Sequence, residues 1–222
     1  MCGRFTLSKP VRAVADLFKL AEPPPELKPR YNVAPSQVVA VVGRKPDGKS
    51  RGLALLRWGL VPEWANDPKS AFINARAETV HQLPTFRDAF RNRRCLIPAD
   101  GFFEWMNTGK GKKKRPHHIR LKGGGLFAFA GLWSVWGEGS ERLRTCCLIT
   151  TTANELVRPV HDRMPVILRP GDYDPWLDPA TPPDQLRGLL RPYPADGMEA
   201  LKVGQAVNKV ANDGPECVAP AA

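Results

Sequence analysis

Cys2 is the residue with the most distinctive chemistry in this chain. An initiator methionine is commonly trimmed when the second residue is small, and cysteine is small enough. Trimming places an α-amino group and a thiol on adjacent carbons. An α-amino group titrates near 7.7–8.0, so a fair fraction is neutral at about pH 7. The amine can condense with an aldehyde to a Schiff base, and the thiol can then close onto the same carbon as a thiazolidine. Such chemistry needs proton carriers. Glu104 lies between Phe103 and Trp105 in an apolar run, where a carboxyl is raised toward neutrality and can trade protons. Alternation alone puts Phe103 and Trp105 on the face opposite Glu104, which fits a solvated carboxylate equally well. His161 opens the run His161-Asp162-Arg163-Met164-Pro165; a histidine titrates near 6.5 and can shuttle protons, or it can simply cap a loop. Asn74 offers an amide that both donates and accepts, as does any turn asparagine.

These residues do not stand alone. The chain reads Met1-Cys-Gly-Arg-Phe5, Asn32-Val-Ala-Pro-Ser-Gln37, Trp58-Gly-Leu-Val-Pro-Glu-Trp64 and Asn74-Ala-Arg-Ala-Glu-Thr79. There follow Arg94-Cys-Leu-Ile-Pro-Ala-Asp-Gly-Phe-Phe-Glu-Trp105, Thr150-Thr-Thr-Ala-Asn154, the histidine run, Val207-Asn208 and Asn212-Asp-Gly-Pro-Glu-Cys217. This set in this order resembles the SOS response-associated peptidase (SRAP) family, the abasic-site processing proteins, over nearly the whole chain.

The resemblance implies a shield for abasic sites in single-stranded DNA. It implies that Cys2, once Met1 has left by an aminopeptidase or by the protein's own activity, bonds to the ring-opened sugar as a thiazolidine crosslink. AP-lyase cleavage and reversal of the crosslink go with the same Schiff base. In that pattern Cys2, Asn74, Glu104 and His161 are the catalytic set. Asn74 holds the cysteine and the sugar, and His161 is the acid/base of imine handling. Trp64 and Pro35 match positions that present apolar surface to bases, and Thr150 matches a polar contact to the damaged strand. Arg4, Arg76 and Arg163 fall inside the motifs, and guanidinium forks suit phosphates. Stacking is sequence-tolerant, as a lesion reader requires. No cofactor is expected, since amine, thiol and proton carriers suffice. The expected partner is single-stranded DNA with abasic sites, bound by a monomer without any membrane.

Two other readings use the same residues differently. Cys2 with His161 and Asn74 or Glu104 would also suit an N-terminal-nucleophile or cysteine peptidase acting on proteins, although no papain-type CGSCW motif is present. A basic, β-rich nucleic-acid-binding module would need no chemistry from Cys2 at all.

The elements that must position these groups are mostly strands. Segments 38–42 and 53–58, joined by the polar loop 43–52, read as a hairpin. Segments 95–97, 102–105, 118–121, 126–132, 143–151 and 165–168 read as further strands. Val11, Val14, Leu17 and Phe18 share a helix face, and short helices are expected over 86–91 and 183–190. Residues 21–29 form a Pro-rich connector, and the tail after 217 is expected to fray. The fold class is therefore α+β: one β-rich domain over 1–222, with mixed, barrel-like sheets taken from the resemblance. Glycine and proline number 19 and 23 among 222 residues, which favours turns over long helices.

The remaining composition narrows the class. A hydrophobic content of 42% excludes a disordered chain. No run of ~18 apolar residues is present and the N-terminus lacks a signal-like segment, so a cytoplasmic, nucleoid-associated protein is expected. Five cysteines without a CxxC spacing argue against structural zinc, and adjacent Cys146 and Cys147 in a strand read as core. There is no P-loop, GxGxxG, GxSxG or HExxH. Trp133 and Trp136 are expected in the core, and His81, His117 and His118 are expected to have no catalytic part. The net charge of +11 favours a polyanion. Segment 107–122 holds seven Lys/Arg and no acid, so most of the excess sits there, as a solvated turn or as phosphate contacts from Lys110 to Lys114.

Overall fold

The computed structural model describes residues 2–22, 26–109 and 113–221. Met1, the middle of the Pro-rich connector, and Lys110 and Lys112 of the basic turn lie outside the described residues.

Among the described residues, thirteen strands and four short α-helices form the fold. In order they are β1 (Phe5–Leu7), α1 (Val11–Phe18), β2 (Arg30–Val33), β3 (Val38–Arg44), β4 (Arg51–Trp58) and β5 (Asn74–Arg76). Next come α2 (Arg87–Asn92), β6 (Arg94–Ala99), β7 (Gly101–Met106), β8 (Arg115–Leu121), β9 (Phe127–Trp136) and β10 (Leu143–Thr152). The chain finishes with β11 (Arg163–Pro165), β12 (Ile167–Leu168), α3 (Tyr173–Leu177), α4 (Pro183–Leu189) and β13 (Met198–Lys202). One sheet runs β13-β8-β7-β1-β2; the other runs β11-β10-β4-β3-β6-β9-β12. Because β9 also pairs with β10, strands β10, β4, β3, β6 and β9 close into a ring. Strand β10 is parallel to β4 and to β5 and antiparallel to β9 and β11, so the sheet is mixed. This is the β-rich, barrel-like α+β class expected.

Ring strands β6, β9 and β10 read as near-continuous apolar runs because both of their faces are covered, whereas Leu55 on β4 is exposed. On β10, Cys147 and Ile149 enter one core, and Cys146 and Leu148 the other. The first core, with Val42, Leu96 and Leu132, is covered by α1, α3 and α4 through Phe18, Tyr173, Trp176 and Leu186. The second joins the two sheets through Phe5, Phe102, Ile119, Trp58 and Phe129, with Phe5 and Phe129 edge to face at 5.8 Å. Cys2 is part of this second core.

Three expectations are corrected. The tail after 217 does not fray up to residue 221: Val203 bridges Pro220 and Ala221 N–H donates to Lys202 O at 3.1 Å. Trp133 and Trp136 are only half-buried; they line an open cleft with Arg93, whose guanidinium lies 5.8 Å from the Trp133 ring centre. The loop of the β3–β4 hairpin is shorter than 43–52, because Gly43 pairs with Gly52 and Arg44 with Arg51.

Candidate functional site

The site is assembled where the two sheets meet. Strand β1 pairs with β7, placing Phe5 opposite Phe102. The chain before β1 therefore runs alongside the Glu104 strand, and Cys2 arrives there fully buried. The Cys2 thiol donates to the carbonyl of Arg4 at 3.7 Å, and that carbonyl also accepts the N–H of Phe103 at 3.0 Å. Burial raises the thiol pKa well above its ordinary value, and the charge of Glu104 pushes it further in the same direction. The thiol is thus protonated at neutrality, and Glu104 is close enough for its charge to be felt.

Glu104 is 3% exposed. The alternation argument for a solvated carboxylate fails here because β7 is covered on both sides. Phe103, on the opposite face, is sealed by Val203, Val207 and Cys217 from the C-terminal segment. Burial, with a smaller contribution from the negative charge of Asp162, lifts the Glu104 carboxyl to about 7. A carboxyl at that value is a proton carrier at physiological pH.

Asn74 opens β5, a three-residue strand held parallel against β10 with Asn74 opposite Leu148. Its Nδ2 donates to the backbone carbonyl of Cys2 at 2.9 Å. Its Oδ1 is buried and has no hydrogen-bond partner among the described residues. The amide therefore fixes the cysteine backbone with one end and keeps an acceptor in reserve at the other.

His161 sits in the turn between β10 and β11. Asn154 shapes that turn: its Oδ1 accepts the N–H of Val157 at 3.0 Å, and Val157 O accepts the N–H of His161 at 3.0 Å. The ring Nδ1 stands 3.0 Å from the Arg163 N–H and 2.9 Å from an Asp162 carboxylate oxygen. A bare Nδ1 accepts from the amide, whereas a protonated one donates to the carboxylate, so the proton decides the partner. Burial holds the imidazole pKa below its ordinary value, with Asp162 pulling the other way. The charges of Asp162 and Lys114 act on both His161 and Glu104, which places the two titrating groups in one neighbourhood.

The surrounding polar residues divide by accessibility. Trp64 is 64% exposed and Arg76 is exposed, while Pro35 is half-buried beside Ser36, which turns the chain with φ of 70°. Arg163 is instead engaged: Glu78 takes Nη1 and Nη2 at 2.6 and 2.9 Å, and Nη2 also donates to Thr150 O at 2.7 Å. Thr150 is fully buried, with its hydroxyl donating to Ala75 O at 3.3 Å, so it holds β5 against β10 and presents no surface of its own. Arg4 is held by Asn32 and by the carbonyl of Val207. Sequence reasoning assigned nothing to Glu78, Asn32 or Asp162, although all three lie inside the quoted motifs. The signal available was their adjacency to Arg76, to the Ala34-Pro35 turn and to His161. No group of three or more metal-binding side chains occurs among the described residues, and no helix among them is long and apolar enough to cross a membrane.

The family described as SOS response associated peptidase (SRAP) matches residues 1–210. The abasic site processing protein YoqW of Bacillus subtilis is 47% identical over 225 residues, spanning 98% of this chain and 99% of that protein. The abasic site processing protein HMCES of Gallus gallus is 34% identical over 226 residues, spanning 87% of this chain and 66% of that protein. A crystal structure from Bacteroides thetaiotaomicron superposes with a TM-score of 0.88 at 26% identity, covering 100% of both chains. Matched in sequence from end to end and in fold, the chain belongs to the SRAP family.

Proposed function

We propose that the protein processes abasic sites in single-stranded DNA by forming a covalent crosslink through Cys2. The observation that carries this reading is the placement of Cys2. Its backbone is gripped by Asn74, and its thiol feels a buried carboxyl that titrates at about 7. The SRAP match and the names of the relatives supply the substrate class.

The chemistry begins after removal of Met1, which exposes the α-amino group of Cys2. Glu104 in its ionised form accepts a proton from that ammonium group. The free amine adds to the aldehyde carbon of the ring-opened sugar, and the carbinolamine loses one water to give an imine. The Cys2 sulfur then adds to the imine carbon while the thiol proton passes to the nitrogen, directly or by way of Glu104. The five-membered thiazolidine forms with net loss of one water and no change of oxidation state. His161, mostly neutral near pH 7 because burial lowers its pKa, can take and return the protons of imine formation and reversal. The same imine is the branch point for crosslink reversal and for strand cleavage by β-elimination. A single cleavage after Met1 accounts for the word peptidase in the family description.

Positioning falls to the rim. Trp64 offers an exposed face for stacking, with Pro35 in the β2–β3 turn, and Arg76 at the end of β5 and Arg163 at the start of β11 add positive charge. Arg163 must exchange Glu78 for a phosphate to contact DNA directly.

The test is to incubate the protein with a single-stranded oligonucleotide carrying one abasic site and to resolve it on a denaturing gel. A heat-stable shifted band is expected. Binding without a covalent band would overturn the reading in favour of a non-covalent module, and turnover of an unrelated peptide would favour the peptidase reading.

A further inference from the structure

We infer that the turn Gln205–Asn208 is a clamp that sets Cys2 against the Glu104 strand, and that Arg4 is its positioning residue rather than a phosphate ligand. This rests on the covalent reading above and adds a part to it.

The clamp reaches both sides of the site. On the Cys2 side, Arg4 Nη1 donates to Val207 O at 2.7 Å and to Asn32 Oδ1 at 2.8 Å, so both hydrogens of that nitrogen are committed to protein oxygens. On the Glu104 side, Trp105 Nε1 donates to Asn208 Oδ1 at 2.7 Å. The Arg4 guanidinium carbon also lies 5.8 Å from the Trp105 ring centre, closing the loop between the two sides. The turn itself is fixed by Asn32, which is fully buried. Its Nδ2 faces the carbonyls of Val207, Lys209 and Asn212 at 3.2, 3.0 and 2.7 Å.

Arg4 transmits that fixation to the thiol through its own backbone. Its carbonyl accepts from the Cys2 thiol and from the N–H of Phe103, the residue before Glu104. Displacing the Arg4 side chain therefore disturbs a peptide group that touches both the nucleophile and the acid strand. A phosphate ligand would be expected to keep both Nη1 and Nη2 available for a bidentate grip. Arg4 instead sits half-buried, its Nη1 occupied by protein oxygens.

The experiment uses Met1-free protein, verified by intact mass, and compares wild type with Arg4→Met, Arg4→Lys and Asn208→Ala. Three quantities are measured: affinity for an undamaged oligonucleotide, the saturating crosslinking rate on abasic DNA, and the rate of thiazolidine formation with glyoxylate. Glyoxylate is an aldehyde without phosphate. Arg4→Met is expected to slow both rates about tenfold, because small misplacements of reacting groups are costly, while DNA affinity stays within about twofold. Arg4→Lys, which can reach one of the two oxygens, recovers part of the loss. Asn208 is exposed, so Asn208→Ala keeps the fold and slows both rates about threefold, less than multiplicatively with Arg4→Met. An Arg4→Met protein that loses DNA affinity and about one unit of salt slope, with its glyoxylate rate intact, would make Arg4 a phosphate ligand and overturn the clamp. An Asn208→Ala protein identical to wild type in both rates would overturn it as well. If wild type fails to crosslink, the covalent reading falls, and the glyoxylate comparison still decides the clamp.

Discussion

Two clusters of similar composition flank the same strand and behave differently. Each contains a buried carboxylate, a histidine and a hydroxyl or thiol. At the start of β7, Asp100 accepts from Thr6 Oγ1 with one oxygen, and from the N–H and hydroxyl of Ser8 at 2.7 and 2.6 Å with the other. His118 Nε2 stands 3.2 Å from the same Thr6 oxygen, and its ring lies against Phe103 at 4.9 Å. Gly101 is required beneath it, since a Cβ there would meet His118 Nε2 at 2.0 Å. Both Asp100 oxygens accept hydrogen bonds, and burial drives the His118 pKa down to about 4, so His118 is neutral at about pH 7. Four residues along the chain, Glu104 has a pKa of about 7. Residue type does not separate the two clusters; the distance of the pKa from neutrality does.

The sharpest way to break the comparison is substitution of the two carboxylate networks. Glu104→Gln should slow crosslinking by about 10²-fold or more, within the range that general acid–base catalysis supplies, with single-stranded DNA affinity nearly unchanged. Equal loss of rate and affinity would make Glu104 structural. Thr6→Ala, by contrast, should cost about 1–3 kcal/mol of stability in denaturant melts, because a buried Asp100 oxygen loses its donor. The folded Thr6→Ala protein should crosslink at the wild-type rate.

The next effect is on stability against pH, and the two clusters have opposite signs. Glu104 has a folded pKa above that of a free carboxyl. Its stabilising contribution is complete in acid and is lost as pH rises through about 7. His118 has a folded pKa of about 4, below that of a free imidazole, so the unfolded chain takes up its proton first. Stability then falls as pH drops from about 6.5 toward 4. Thermal melts should show Glu104→Gln gaining stability mainly at pH 8, and His118→Gln flattening the acid side. A gain for Glu104→Gln that is the same at pH 5 and pH 8 would contradict the assignment.

Legibility in the sequence follows the same division. Strands β3, β4, β6, β7, β9 and β10 are mostly apolar and six to ten residues long, and pattern finds them; of β8 only the part from His118 reads as a strand. Strands β1, β2, β5 and β13 escape it because they are three to five residues long and include Arg30, Asn74, Arg76 and Glu199. Two of those are the ones that matter, since β1 carries the chain from Cys2 and β5 begins with Asn74. Cys2, Asn74, Glu104 and His161 share no spacing rule; only the motif set groups them. Spacing also misjudged Glu104, because coverage of the far face of β7 comes from residues about a hundred positions later. Their motifs suggest DNA contacts for Thr150 and Arg163, whereas their structural contacts, Ala75 and Glu78, depend on pairings between β5, β10 and β11 that no local pattern encodes.

The smallest expected effect belongs to Lys114, whose charge lowers both the Glu104 and the His161 pKa. Lys114→Ala should shift the pH midpoint of crosslinking slightly upward. It should also weaken DNA binding by no more than a few-fold, in a salt-dependent way. A pH profile and a salt titration check the two parts separately.

The most direct test of the central claim is an intact mass measurement on the crosslinked product beside the Cys2→Ala variant. The account predicts protein lacking Met1, joined to the oligonucleotide with loss of one water, and no covalent product from Cys2→Ala. A crosslinked product that retains Met1, or an undiminished adduct from Cys2→Ala, would contradict it.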